Sequence, residues 1–219
     1  MPRLLFEKKG NAVWISHLDL MRLFQRAFQR AGLPLKHTQG FNQRPIVSIA
    51  LPLSVGVSSE CELLDFDLDC GEYTNEEICG KLNSALVSGV WVLDVYDNGR
   101  KLKELAYLKC MLTLEYDRGV PQEAVSEIRA LFSHETLLVE KKGKNGVTLQ
   151  NIIPMILDLS VKEMNANTLE ICTVIQCQNP SLNPAQLVAA IKKYLPALSP
   201  DFVKYSREEI FDTNKKVFR

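Results

Sequence analysis

Three arginines recur at helical spacing and suggest a surface that binds phosphates. Arg22, Arg26 and Arg30 stand four residues apart, so on a helix they fall within one stripe about 80° wide. We call this row the arginine stripe. A guanidinium group donates paired hydrogen bonds to phosphate oxygens, and a row of three suits phosphates about one helical turn apart. The alternative is a solvated helix face whose arginine stems cover the edge of the core.

The segment that follows contains the side-chain types that bind single-stranded RNA. We call Lys36–Pro45 the 36–45 loop. Phe41 can stack on a base, and the amide of Asn42 can bond a base edge. Lys36 and Arg44 can meet phosphates. The alternative is an ordinary connection in which Phe41 packs into the core.

Two histidines close to these segments are the candidates for acid–base catalysis. His17 stands near Asp19 in the first helical turn, where the positive helix end keeps an imidazole neutral. On the helical wheel, however, His17 falls on the apolar side, which predicts a packed, hydrogen-bonded structural residue. His37 lies in the 36–45 loop. If either residue acts, the reaction they suggest is metal-independent RNA cleavage.

Other catalytic and metal-binding patterns are missing from the sequence. The three histidines show no H-x-H or H-x-x-x-H spacing, and the six cysteines include no C-x-x-C pair. We therefore expect no metal and no cofactor. The cysteines are typical of buried thiols in a reducing cytosol, and no apolar run is long enough for a membrane span. The expected location is cytoplasmic.

Capping signals place the arginine stripe on a helix. Ser16 with Asp19 predicts the N-terminus, and Gly32 with Pro34 predicts the C-terminus. Thr74 with Glu77 predicts the start of a second helix. Alternating apolar residues predict strands around these helices. The expected strands are an opening hairpin of Leu4–Phe6 and Val13–Ile15, followed by Pro45–Leu51, Leu63–Leu68 and Val90–Val95.

The element order predicts an α+β fold with two domains. With the opening hairpin counted as one edge element, residues 1–100 have the order β-α-β-β-α-β, which is that of ferredoxin-like domains. Residues 106–219 repeat this order without visible sequence identity. We therefore expect two tandem ferredoxin-like domains with antiparallel sheets. Residues 141–160 fit this scheme least well and are expected to be irregular, beginning with a turn over Lys141–Gly146.

The net charge of zero conceals a strong asymmetry along the chain. Residues 1–50 contain eight basic and two acidic residues, a formal charge of +6. Residues 51–100 contain two basic and ten acidic residues, a formal charge of −8. This polarity favours an anionic partner at the basic end of the first domain.

Beyond these patterns, the N-terminal third resembles a known family. The resemblance rests on the runs Ile15–Arg22, Arg26–Ala27, Arg30–Pro34, Gln39–Asn42, Pro52–Leu53 and Gly56. It is strongest over residues 3–68 and identifies the chain as similar to the bacterial radical-SAM-linked family, a domain of unknown function. The resemblance implies a radical-SAM protein as partner and a genomic context of RNA or ribosome maturation. Relatives usually have a histidine where this chain has Arg44, which favours binding over proton transfer here.

Three hypotheses follow from the residues and the resemblance together. The first is a non-catalytic, RNA-associated accessory protein that works with a radical-SAM enzyme in RNA modification or ribosome maturation. Its contact set is Arg22, Arg26, Arg30, Lys36, Phe41, Asn42 and Arg44. The second is a metal-independent endoribonuclease of tandem ferredoxin-like type that uses His17 or His37. The third is a module that docks on the radical-SAM partner without RNA.

Overall fold

The chain forms two compact units of mixed α and β structure. The structure, a computed structural model, describes residues 1–143 and 146–219. The first unit comprises Met1–Glu104 with Arg219, and the second comprises Leu105–Phe218. The described residues contain four α-helices, two in each unit. None of these helices is both long and apolar enough to span a membrane.

The N-terminal unit has the element order β-α-β-β-α-β that its sequence indicates. Its elements are β1 (Arg3–Lys8), α1 (His17–Arg30), β2 (Val47–Ile49), β3 (Val57–Phe66), α2 (Asn75–Ala85) and β4 (Val90–Tyr96). Strand β1 pairs with both β3 and β4, and β2 pairs with β3. All three pairings are antiparallel. Together they give the strand order β4-β1-β3-β2 within this unit.

The expected opening hairpin is wrong, because a 3-10 helix stands where its second strand was predicted. This helix covers Gly10–Trp14. The buried Lys8 donates hydrogen bonds from Nζ to the carbonyl oxygens of Val13 (3.2 Å) and Ile15 (2.8 Å). Burial lowers the pKa of Lys8. Because Lys8 satisfies these two carbonyl groups, the chain enters α1 without strand pairing.

One face of α1 packs against the sheet and fixes the direction of the other face. Phe24 and Phe28 are fully buried. The rings of Phe6 and Phe24 lie 4.8 Å apart in an edge-to-face arrangement, and those of Phe28 and Phe66 lie 5.0 Å apart. Since these contacts fix the rotation of the helix, the arginine stripe faces away from the core.

Both ends of α1 are closed by the residues that the sequence indicates. Ser16 is the N-cap, and its Oγ accepts a hydrogen bond from the backbone N–H of Asp19. At the other end Gly32 adopts a positive φ of 68°. There the N–H of Leu33 donates to the carbonyl of Phe28 at 2.9 Å, which ends the helix in a Schellman-like turn.

The C-terminal unit contains the same kinds of element with an added hairpin. Its elements are β5 (Leu105–Glu115), α3 (Ala124–Phe132), β6 (Leu138–Gly143), β7 (Gly146–Asn151), β8 (Ile156–Asn165), β9 (Thr168–Gln176), α4 (Ala185–Tyr194) and β10 (Phe202–Asp212). Strands β10, β5, β9 and β8 are antiparallel neighbours in that order. Strands β6 and β7 form a separate two-stranded sheet.

The prediction of an irregular segment over 141–160 is also wrong. Strands β6, β7 and β8 cover most of it. Of the predicted turn, positions 144 and 145 lie outside the described residues. The hairpin is held by long-range contacts that a local pattern does not show: Lys193 and Tyr194 of α4 both donate hydrogen bonds to the carbonyl oxygen of Leu138.

Candidate nucleic-acid interface

The arginine stripe lies along a groove on the exposed side of α1. All three arginines line this groove, which has a volume of about 510 Å³. Its apolar wall consists of Ile15, Leu23 and Val87. The groove therefore combines cationic groups with apolar surface, a combination that suits a nucleotide chain.

The three guanidinium groups differ in their contacts. Arg22 forms an ion pair with Asp19 at 2.9 Å, and both side chains are mostly exposed. Arg30 donates a 2.6 Å hydrogen bond to the carbonyl oxygen of Ala85, the last residue of α2. Arg26 makes no hydrogen bond or ion pair with any residue that the structure describes. Arg26 is therefore the member of the stripe most available to a ligand.

Asp19 is the acidic group that opposes the stripe. The Ser16 hydroxyl donates a 2.7 Å hydrogen bond to one carboxylate oxygen, and Arg22 donates to the other. These two hydrogen bonds, that of Ser16 first, lower the pKa of Asp19. Asp19 therefore carries its negative charge at neutral pH and offsets part of the charge of Arg22.

The 36–45 loop is an arm whose two sides are hydrogen-bonded to each other. Near its base, the N–H of Ile46 donates to the carbonyl of Lys36 at 2.7 Å. Further out, the N–H of Thr38 donates to the carbonyl of Arg44, and the N–H of Arg44 donates back to the Thr38 hydroxyl. The arm therefore presents its tip to solvent in a defined backbone arrangement.

Phe41 at the tip of this arm is fully exposed, with a relative accessibility of 104%. The alternative in which Phe41 packs into the core is therefore wrong. Gly40, with a positive φ of 119°, makes the turn that precedes it. Asn42 and Arg44, one and three residues further along the chain, are exposed as well. An aromatic ring next to an amide and a guanidinium group forms a site on which a base can stack.

A second groove connects the loop with the arginine stripe. It has a volume of about 450 Å³ and is lined by residues of α1, by the turn after it and by the loop. Arg26 lines this groove as well as the first one, whereas His37 and Pro45 contribute the loop side. The stripe and the loop are therefore parts of one continuous surface that has Arg26 at its centre.

Lys36 is less available to bind a phosphate than the sequence suggests. Its Nζ lies 3.4 Å from the carboxylate of Asp67, and its backbone is hydrogen-bonded to the same residue. The side chain is half-exposed. Arg44, by contrast, has no carboxylate partner among the residues that the structure describes.

The two candidate histidines occupy different places. His17 is half-buried at the first turn of α1, and its Nδ1 is buried without a hydrogen-bond partner in the described part of the chain. His37 is exposed in the second groove, next to Arg26 and Gln29. Along α1, His17 and Arg26 are about 13 Å apart by helical rise, and His17 does not line that groove. The structure therefore does not bring the two imidazoles together as an acid–base pair.

Two further residues of the first unit that could contact a nucleic acid were missed from the sequence. Trp14 is 65% exposed beside Gly56, and its ring would lie 3.4 Å from a side-chain carbon at that glycine. Its prediction as a strand residue concealed this exposure. Lys81 of α2 lines a third groove together with Arg30. Trp14 supplies an aromatic ring and Lys81 supplies a cation, and both types of group bind nucleic acids.

The described residues contain no group of three or more histidine, cysteine or acidic side chains placed to hold a metal ion. The arginine stripe and the 36–45 loop present cations, amides and an exposed aromatic ring. These groups bind and orient anions and bases.

Comparison with protein families identifies the chain at the family level. Residues 2–184 match the family described as an uncharacterized protein conserved in bacteria, DUF2344. The chain belongs to this family. The predicted membership in an uncharacterized bacterial family is confirmed, whereas the radical-SAM association stays a prediction. None of the curated proteins matches the sequence.

Several solved structures are similar to this member of DUF2344 at low sequence identity. A chain of the Cbf5-Nop10-Gar1 complex is 8% identical with a TM-score of 0.51, over 95% of this chain and 48% of that one. A chain of the archaeal box H/ACA sRNP Nop10-Cbf5 complex is 9% identical with a TM-score of 0.47, over 94% and 46%. A chain of an H/ACA RNP bound to a substrate RNA containing 2′-deoxyuridine is 8% identical with a TM-score of 0.48, over 98% and 48%.

The present chain spans about half the length of these chains. At 8% identity, the likeness to the chain of the Cbf5-Nop10-Gar1 complex concerns the fold alone.

Proposed function

We propose that the N-terminal unit binds single-stranded RNA through the arginine stripe and the 36–45 loop. The protein is then a non-catalytic accessory that presents RNA to a separate enzyme. The proposed contact set is the one expected from the sequence, namely Arg22, Arg26, Arg30, Lys36, Phe41, Asn42 and Arg44. The exposed ring of Phe41 at the tip of the arm carries this proposal.

An exposed phenylalanine between cationic groups has a clear use in RNA binding. A fully solvated phenyl ring contributes nothing to the core, and its exposure to water is unfavourable by about 2 kcal/mol relative to burial. Stacking of a base on such a ring stabilises a complex by about 1–3 kcal/mol. The arm thus holds at its tip a ring that gains contacts only when a partner covers it.

The charge distribution supports an anionic partner. Arg26, Arg30 and Arg44 have no carboxylate partner in the described part of the chain, whereas Arg22 and Lys36 are each paired with one. Three guanidinium groups that lack an opposing charge attract phosphates, and they do so most strongly at low salt.

The proposed enzyme partner is a radical-SAM protein, and the proposed process is RNA modification or ribosome maturation. Both rest on the family resemblance of residues 3–68. One solved structure with a TM-score above 0.5 is a chain of the Cbf5-Nop10-Gar1 complex. Because the identity is so low, the proposal rests on the surface of this chain and not on that likeness.

The ferredoxin-like assignment and the two-domain division also belong to this proposal. The strand order β4-β1-β3-β2 of the first unit supports a ferredoxin-like domain over residues 1–100. In the second unit, the order β10-β5-β9-β8 supports the same arrangement over residues 106–219, with β6 and β7 as an inserted hairpin. Separate expression of the two ranges, followed by thermal unfolding, tests whether each folds alone.

Fluorescence anisotropy with labelled single-stranded RNA of mixed sequence tests the proposed function. We expect binding at low salt that weakens steeply as salt is added. The variant Phe41→Ala should bind less tightly, and Phe41→Tyr should bind like the parent protein. The absence of RNA affinity at low salt would falsify the proposal.

The same preparation distinguishes the two rival functions. Cleavage of the RNA in EDTA that is lost in His17→Ala or His37→Ala would indicate the endoribonuclease. Co-purification of a radical-SAM protein that persists after nuclease treatment, without any RNA affinity, would indicate a docking module. Intact RNA that stays bound supports the accessory function.

A further inference from the structure

The C-terminal unit contains a groove that the proposed RNA surface does not use. It lies between the β6–β7 hairpin and α4, and its volume is about 730 Å³. Pockets that hold small molecules measure about 300–1,000 Å³. The groove is therefore large enough for a nucleotide.

Small residues on one face of α4 create this space. Ala185 and Ala189 are one helical turn apart, and both line the groove together with the buried Val139 of β6. A larger residue at either alanine would fill part of the space. These three residues form an apolar floor suited to the face of a planar base.

A lysine stands at each end of the groove. Lys141 of β6 donates a hydrogen bond to the carbonyl of Ser181 at 3.2 Å, close to the start of α4. Lys193, near the end of α4, donates to the carbonyl of Leu138 at 3.1 Å. An ammonium group has three N–H donors, so each lysine keeps donors for a phosphate after making its bond to the protein.

The remaining lining groups are hydrogen-bonding side chains. Asn183 and Gln186 are bound to each other, because the N–H of Asn183 donates to Oε1 of Gln186. The other polar atom of the Gln186 side chain, the donor Nε2, is buried without a hydrogen-bond partner in the described part of the chain. Glu140 also lines the groove. Its carboxylate accepts hydrogen bonds, which matches the exocyclic amino group of adenine or cytosine.

We propose that this groove is a second ligand site, which binds a nucleoside monophosphate. The base lies on the alanine floor, the polar side chains bind its edge, and a lysine binds the phosphate. This ligand comes either as a free nucleotide or as one nucleotide of an RNA strand, because both present the same chemistry. The groove shares no residue with the arginine stripe or the 36–45 loop, so amide shifts at its own residues report on it separately from the RNA surface of the first unit.

The test is a titration of the full-length protein with AMP, CMP and a short single-stranded RNA, followed by amide chemical shifts and calorimetry. We expect shifts at Lys141, Asn183 and Gln186. The variant Ala189→Phe fills the groove and should weaken nucleotide binding about tenfold or more, whereas Ala189→Ser should preserve it. Lys193→Ala should weaken binding, and Lys192→Ala is the matched control because the neighbouring lysine does not line the groove.

The outcomes separate the ligand sources and can overturn the proposal. Weakening by Ala189→Phe with free nucleotides indicates a free ligand, and weakening with the RNA alone indicates a strand. The proposal is overturned if neither the free nucleotides nor the RNA bind at this groove. It is also overturned if Ala189→Phe leaves their binding unchanged. Because Ala189 is exposed, a thermal unfolding temperature equal to that of the parent protein shows that the filled variant is folded.

Discussion

The guanidinium group of Arg30 donates a hydrogen bond to the backbone carbonyl of Ala85 at the end of α2, at 2.6 Å. A carbonyl in the last turn of a helix lacks an intrahelical partner and carries the negative end of the helix dipole. Arg30 therefore connects α1 to α2. This contact separates Arg30 from Arg26, which has no such role among the described residues.

The different contacts of the two arginines predict different effects of their removal. Arg30→Ala should lower the free energy of unfolding by about 0.5–1 kcal/mol, because the last carbonyl of α2 loses its partner. Arg26→Ala should leave stability unchanged and weaken RNA binding about three- to tenfold at low salt. Urea unfolding and fluorescence anisotropy measure the two effects. Equal losses of stability in both variants would contradict this division.

Replacement of Asp19 should raise the RNA affinity, whereas replacement of Arg26 should lower it. Asp19→Asn removes the charge that offsets Arg22, so RNA affinity should rise about two- to fivefold at low salt and return towards the parent value at high salt. Glu76→Gln is the control, because it changes the net charge equally at an exposed position of α2. Unchanged or weaker binding in Asp19→Asn alone would show that Arg22 does not contact the RNA.

The same residue predicts a pH dependence. The hydrogen bonds from Ser16 and Arg22 lower the pKa of Asp19 in the folded protein, so its contribution to the start of α1 is present above the pKa of the unfolded chain. This contribution is lost as the pH falls through the lowered folded value. Unfolding by urea across this acidic range should show a pH-dependent loss of stability that is smaller in Asp19→Asn.

Phe41 tests the loop without disturbing the fold. Because its ring makes no contribution to the core, Phe41→Ala should leave the unfolding temperature unchanged and weaken RNA binding by about 1–3 kcal/mol. Phe41→Tyr should retain the affinity of the parent protein. Phe66→Ala, at a fully buried position, should instead lower stability by about 3–5 kcal/mol. A loss of stability in Phe41→Ala comparable to that of Phe66→Ala would exclude an exposed ring.

The cysteines test the interior of the second unit. Burial raises the pKa of Cys110 to about 12, so at pH 8 about one thiol in ten thousand is ionised. Cys70 is exposed. Iodoacetamide at pH 8 should therefore alkylate Cys70 first and reach Cys110 only after unfolding, as peptide mass spectrometry can show. Early labelling of Cys110 would contradict its burial.

The sequence predicts the fold best where the determining interactions are local. Ser16 and Gly32 close α1 within a few residues of themselves, and helical periodicity turns the arginine stripe away from the core. Trp14 lies instead in a 3-10 helix where a strand was predicted. This segment is held by the buried Lys8, whose hydrogen bonds to the carbonyl groups of Val13 and Ile15 leave no periodic pattern in the sequence.

The same limit applies to the second unit and to the functional surface. The β6–β7 hairpin is held by Lys193 and Tyr194, whose side chains bind the carbonyl oxygen of Leu138, 55 and 56 residues earlier in the chain. The exposure of Phe41 depends on how the arm is hydrogen-bonded to itself, and the sequence allowed both an exposed and a packed ring. Residue types thus indicate the kind of surface, and long-range contacts decide which groups it presents.

The salt dependence of RNA affinity tests the central claim most directly. For single-stranded nucleic acid, each phosphate contact contributes about −0.7 to the slope of log affinity against log salt concentration. Replacing Arg22, Arg26 and Arg30 together by alanine should reduce the steepness of this slope by about 2. Replacing the exposed Lys162, Lys192 and Lys216 of the second unit should leave it unchanged. If both triple variants show the slope of the parent protein, the arginine stripe does not bind RNA phosphates.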